Sequence, residues 1–255
     1  MTAARHAVEA ARPSGSGPAM SAPPAPMLAP AQTLVPASTH VAASALPPAA
    51  SGEPSVRAGV RSIALLAGLA IAVAARFVAT QAAIADGVTI GLGFGVALLA
   101  AAVVLGGDAR GLVETRLRIP RAVAIGLGGG AALVALALVG RMLGGQPAVA
   151  SIPGSGALTG AFGPWALATV VVATAEEAIL RGALLRRLSD VSGPWLAIAI
   201  TSLVFGLMHV PFYGWHVVPL DVGVGIWLAG LRLESGGIVA PSIAHAVADL
   251  ATWWM

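Results

Sequence analysis

From Ser62 onward the chain alternates long apolar runs with short polar breaks. About 20 helical residues cross about 30 Å of hydrocarbon, so runs of this length are read as membrane helices. Seven are predicted: Ser62–Ala85, Val88–Leu105, Ala122–Val139, Gly163–Leu185, Pro194–Val210, Val218–Leu231 and Ile238–Trp254. The sixth is the shortest. The expected fold is therefore all-α, a polytopic membrane helical bundle of about seven transmembrane helices occupying residues 61–255. Residues 1–60 show another pattern: stretches such as Pro23–Pro30 and Ala43–Pro54 are rich in Pro, Ala and Ser and have neither period nor bulky side chains to bury. A disordered tail is expected there. Its first residues lack the continuous apolar core of a secretory signal, and Met20 and Met27 are alternative starts for translation.

Composition strengthens this reading, because a chain that is 57% hydrophobic and only 10% charged is placed among membrane proteins. The net charge of +3 comes from arginine alone, and the arginines lie between apolar runs instead of forming one basic stripe, which argues against a nucleic-acid partner. Cysteine is absent, so disulfides, thiol catalysis and cysteine metal sites are excluded and any nucleophile is oxygen-based. Gly91, Gly93, Gly95 and the run 128–130 permit close helix contact in lipid. The segment Gly91-Leu-Gly-Phe-Gly95 is not a dinucleotide loop, since it has no preceding strand and lacks the third glycine at the right spacing.

Loop charges predict orientation. Arg57 and Arg61 precede the first run, Arg110, Arg116, Arg118 and Arg121 separate the second from the third, Arg186 and Arg187 come after the fourth, and Arg232 after the sixth. With seven crossings all of these share one side and Arg141 alone takes the other, so the positive-inside rule puts the N-terminus in the cytoplasm and the C-terminus outside, as in a bacterial plasma membrane. Trp165, Trp195, Trp215, Trp253 and Trp254 fall near run ends, as an interfacial belt would. Tyr213 and His216 are expected at the surface of an outer loop, and Ser189 with Asp190 in a turn or cap. Arg76, in the middle of the first run, receives no role.

Ionisable residues inside the later runs are the candidate site, because a charge near the bilayer centre costs roughly 2.5–3.5 kcal/mol on insertion scales. In Glu176-Glu177-Ala-Ile-Leu-Arg181 the two carboxylates point about 100° apart on a helix, whereas Glu177 and Arg181 are a turn apart and can pair. Glu176 is thereby left to act as a base, with Glu177 and Arg181 as its positioning frame. Phe205 and His209 share one helix face, as do His245 and Asp249.

These three motifs together resemble the CPBP (Abi) family of intramembrane proteases, related to the type II CAAX prenyl endopeptidase. The family pattern is Glu-Glu-x-x-x-Arg, then Phe-x-x-x-His, then His-x-x-x-Asn; Glu176, Glu177 and Arg181 match the first, Phe205 and His209 the second, and His245 the third. Asp249 departs from it, standing where the family most often has Asn, and an ionised carboxylate cannot donate to an oxyanion as an amide does. The resemblance covers a catalytic core at about 163–255.

It implies hydrolysis of a peptide bond in a membrane-associated protein or peptide, with Glu176 and His209 activating water and His245 and position 249 stabilising the oxyanion. It leaves the cofactor open between none and zinc; Glu176, His209 and His245 are the ligands if zinc is used, although no His-Glu-x-x-His helix is present. The alternative is a non-enzymatic relative, an immunity or scaffold factor; a transporter is disfavoured because the first three runs offer only Arg76 and Gln81. At 1.5 Å per residue Glu176 and His245 lie about 12–15 Å from their cytoplasmic ends and His209 about 24 Å, so His209 joins the site only through helix tilt or a broken fifth run.

Overall fold

Every predicted run falls on a helix. The structure, a computed structural model, describes residues 55–107, 115–143 and 161–255. The predicted tail lies outside these residues apart from 55–60, which are already helical. The helices are α1 (Ser55–Gln81), α2 (Gly87–Val104), α3 (Ile119–Met142), α4 (Phe162–Glu177), α5 (Leu185–Ser192), α6 (Pro194–Tyr213), α7 (Val218–Ser235) and α8 (Val239–Ala251). A π-helical segment, Ala178–Leu184, joins α4 to α5 without a break, and short 3-10 turns lie before α7 and after α8. There is no strand among the described residues.

Five segments are long and apolar enough to cross a membrane: α1, α2, α3, α6, and α7 with its leading turn. The fourth and seventh predicted runs fall outside that group for one reason. Their helices are short, α4 at 16 and α8 at 13 residues, the fourth run being completed by the π segment and α5. Large apolar side chains such as Ile63, Ile71, Val96, Leu136, Leu203 and Ile226 stand exposed on the outer faces, as lipid-facing residues do. The chain is an integral membrane protein.

The helix ends obey local chemistry. Asp86 caps α2, its carboxylate accepting from the Val88 and Thr89 N–H groups at 3.0 Å each and from the Thr89 hydroxyl at 2.7 Å. Gly193, at φ +79°, separates α5 from α6, and Pro194 begins the new helix where its missing N–H is harmless. Gly236, at φ +71°, ends α7. Ser189 and Asp190, expected in a turn, lie within α5.

Glycine decides how closely the helices approach. A methyl group on Gly130 would sit 2.7 Å from Val247 Cβ and 2.9 Å from the Ala244 carbonyl oxygen, and one on Gly126 2.7 Å from the Ala240 carbonyl oxygen. α3 thus lies almost backbone to backbone against α8, which fixes the helix that carries His245 and Asp249. Gly95 does the same for α2 against Val171 of α4, and Gly225 for α7 against Ser202 of α6. Leu65, Leu69, Phe94, Leu98, Ile179, Leu180, Leu184 and Phe205 form the main apolar core around the π segment.

Candidate active site

Glu176 and Glu177 of α4, Arg181 of the π segment and His245 of α8 gather in the bundle interior. Arg181, fully buried, donates from Nη1 to Glu177 Oε1 at 2.8 Å and from Nη2 to the Gly225 carbonyl oxygen at 3.2 Å. Its Cζ lies 4.7 Å from the centre of the Phe205 ring. Glu177 Oε1 also meets His245 Nδ1 at 3.2 Å, so one carboxylate oxygen ties the end of α4 to α8. Buried ion pairs persist only when such hydrogen bonds satisfy them. The Leu185 N–H reaches back to the Leu180 carbonyl oxygen, five residues earlier, so the turn carrying Arg181 is wider than an α turn.

Glu176, one residue away, has a different environment. It is 2% exposed, and its carboxylate accepts no hydrogen bond from any described residue. His245 Nε2 lies 3.8 Å from its Oε2, a separation that leaves the carboxylate free for another proton donor. With Nδ1 turned to Glu177, His245 points Nε2 at both Glu176 and Asp249, the latter at 3.5 Å. The Asp249 side chain is 44% exposed, so this corner of the site opens outward.

His209 lies toward the edge of this cluster, its side chain 16% exposed. Its ring packs edge-on against Phe205 at 4.9 Å between centroids, and Phe205 packs edge-on against His245 at 5.4 Å. No ion pair joins His209 to Glu176 among the described residues. His209 Nδ1 lies instead 2.9 Å from Asp221 Oδ2 in the first turn of α7, close but not aligned as a hydrogen bond. Asp221 was not among the sequence candidates. The available signal was an acidic residue at the mouth of an apolar run. Tyr213, expected at the surface of an outer loop, is half-buried as the last residue of α6 and packs edge-on against His209 at 5.8 Å; His216 is exposed as expected. Gly225, whose carbonyl oxygen completes Arg181, left no sequence signal at all.

Among the described residues the three candidate zinc ligands are not gathered as a metal-holding group. Glu176, His209 and His245 do not converge, and no three His, Asp or Glu side chains among the described residues form a group able to hold a metal. His209 turns Nδ1 to Asp221 and His245 turns Nδ1 to Glu177, while the Phe205 ring packs against both imidazoles.

Residues 159–251 match the family model described as "Type II CAAX prenyl endopeptidase Rce1-like". The match covers all six sequence candidates and agrees with the resemblance drawn from the three motifs. No curated protein and no solved structure matches the chain.

Proposed function

We propose, from the premise that residues 159–251 form an Rce1-like domain, that the protein is an intramembrane endopeptidase acting on a membrane-associated protein or peptide, with water activated by Glu176 as the nucleophile. The observation that carries this reading is the inequality of the adjacent carboxylates: Glu177 is held by Arg181 and His245, whereas Glu176 has no hydrogen-bond donor of its own among the described residues. A base needs a free lone pair within reach of water and a site that excludes bulk solvent, and Glu176 meets both conditions.

In this mechanism Glu176 takes a proton from water as the water oxygen attacks the scissile carbonyl, and returns it to the departing amine. His209, anchored by Asp221, assists at the water. His245, held at Nδ1 by Glu177, turns Nε2 toward the developing oxyanion, beside position 249. The arginine-rich end, where Arg61 and Arg187 both donate to the Gly106 carbonyl oxygen, is read as the cytoplasmic end, with the N-terminus on that side. The membrane is a bacterial plasma membrane in this reading.

The test is cleavage of a membrane-peptide library by the protein in liposomes. Glu176→Gln is expected to lower kcat by about 10²–10⁴-fold. An unaltered rate would refute Glu176 as the base, and a wild-type protein that is folded yet cleaves nothing would favour the non-enzymatic alternative, for which Asp249 in place of Asn is the observation that speaks.

A further inference from the structure

Arg76 is a charge in a membrane span that the proposed hydrolysis leaves unused. It lies near the Gln81 end of α1, away from Arg57 and Arg61, and is half-buried. Its Cζ is 4.7 Å from the centre of the Phe94 ring on α2 and 4.7 Å from that of Phe212 on α6. Two aromatic rings on different helices therefore hold the guanidinium away from lipid.

Nothing described satisfies its donors. Among the described residues the Arg76 guanidinium has no carboxylate partner and makes no hydrogen bond, and none of its nitrogens is sealed from access. Arginines deeper in the bundle behave differently: Arg181 meets Glu177 and the Gly225 carbonyl, and Arg232 meets the Arg181 carbonyl. Phe212, beneath the Arg76 guanidinium, packs edge-on against Tyr213 at 6.4 Å, and Tyr213 packs edge-on against His209 at 5.8 Å, so Arg76 stands on the side of the bundle that carries His209.

An arginine clamped by aromatic faces with its N–H fork open is built for a planar anion received edge-on. We propose that Arg76 binds a carboxylate of the substrate and thereby sets which peptides enter the site and how far along the chain they seat beside Glu176. The carboxylate is either the free C-terminus of the peptide or an Asp or Glu side chain. Arg76 is in this view a specificity residue, and the proposal rests on the peptidase reading only for the cleavage step after binding.

The experiment separates binding from cleavage. The full chain carrying Glu176→Gln is reconstituted in liposomes, and the affinity of a fluorescent Ala-Leu-Val peptide is measured in four versions, ending in acid or amide, with or without one internal Asp. One carboxylate-bearing version is expected to bind at least about tenfold tighter than the uncharged amide, and the version that does so identifies the source. Adding Arg76→Gln should erase that preference, and Arg76→Lys, which keeps the charge but loses the fork, should restore part of it. Equal affinity for all four peptides would overturn the proposal. So would a preference that survives Arg76→Gln, or a loss of affinity equal for charged and uncharged peptides, which would make Arg76 structural. Because the variant cannot be required to cleave, failure of the peptidase reading would show instead as wild-type protein that binds these peptides with the same preference and leaves them intact.

Discussion

Glu177 and Glu176 are joined by one peptide bond and inhabit opposite kinds of space. Around Glu177 the interior is closed: the Arg181 guanidinium, the His245 ring and the Gly225 carbonyl meet within hydrogen-bond distance, and Arg181 and Glu177 are both 0% exposed. Around Glu176 the polar groups stand apart, at 3.8 Å from His245 Nε2, and Asp249, His209 and Tyr213 lead outward to partly exposed positions. A charge with its partners supplied by the protein holds helices in place. A charge whose partner is missing is available to substrate or water. The same contrast divides the arginines, Arg181 belonging to the closed region and Arg76 to the open one.

The largest expected effect comes from breaking the closed region. Arg181→Leu takes from the buried Glu177 carboxylate its guanidinium partner, leaving it only His245, and should cost about 3–5 kcal/mol of stability, read by denaturant unfolding in mixed micelles. Glu176→Gln in the same assay should change stability by less than about 1 kcal/mol, because it removes no interaction the fold relies on. Equal losses in the two variants would erase the distinction.

A smaller effect is expected where the closed region is supported from behind. Gly130→Ala forces a methyl group against Val247 and the Ala244 carbonyl, and should cost about 1–3 kcal/mol in the same unfolding experiment. Cleavage should fall with it, since α8 carries His245.

In the open region the expected change is in rate and opposite in sign. Asp249→Asn replaces a carboxylate with a group that can donate to an oxyanion, and kcat should rise by roughly threefold to tenfold without a change in melting temperature. A fall in rate would mean that the carboxylate itself orients His245.

The least effect belongs to Asp86, remote from both regions. The Thr89 hydroxyl and backbone N–H groups hold its carboxyl below the usual carboxylate range. A depressed folded-state value stabilises the fold above the unfolded value, and that contribution disappears as pH falls through the folded one. Melting temperature should therefore decline slightly more steeply at acid pH in wild type than in Asp86→Ala, with cleavage at neutral pH unaffected.

What the chain by itself determined is whatever depends on neighbours within a few turns. Apolar run length located the helices, and the spacing of Glu177 to Arg181, Phe205 to His209 and His245 to Asp249 set which side chains share a face, because helix geometry repeats every few residues. The order of those motifs was enough to reveal the resemblance. Packing alone decided the rest: that His245 reaches Glu177 across 68 residues, that Gly225 lends its carbonyl to Arg181, that Asp221 faces His209, and that Arg76 enters between Phe94 and Phe212. No local rule relates such residues. Their meeting depends on the depth and rotation of each helix, which the glycine contacts of α2, α3 and α7 set only once the whole bundle has assembled.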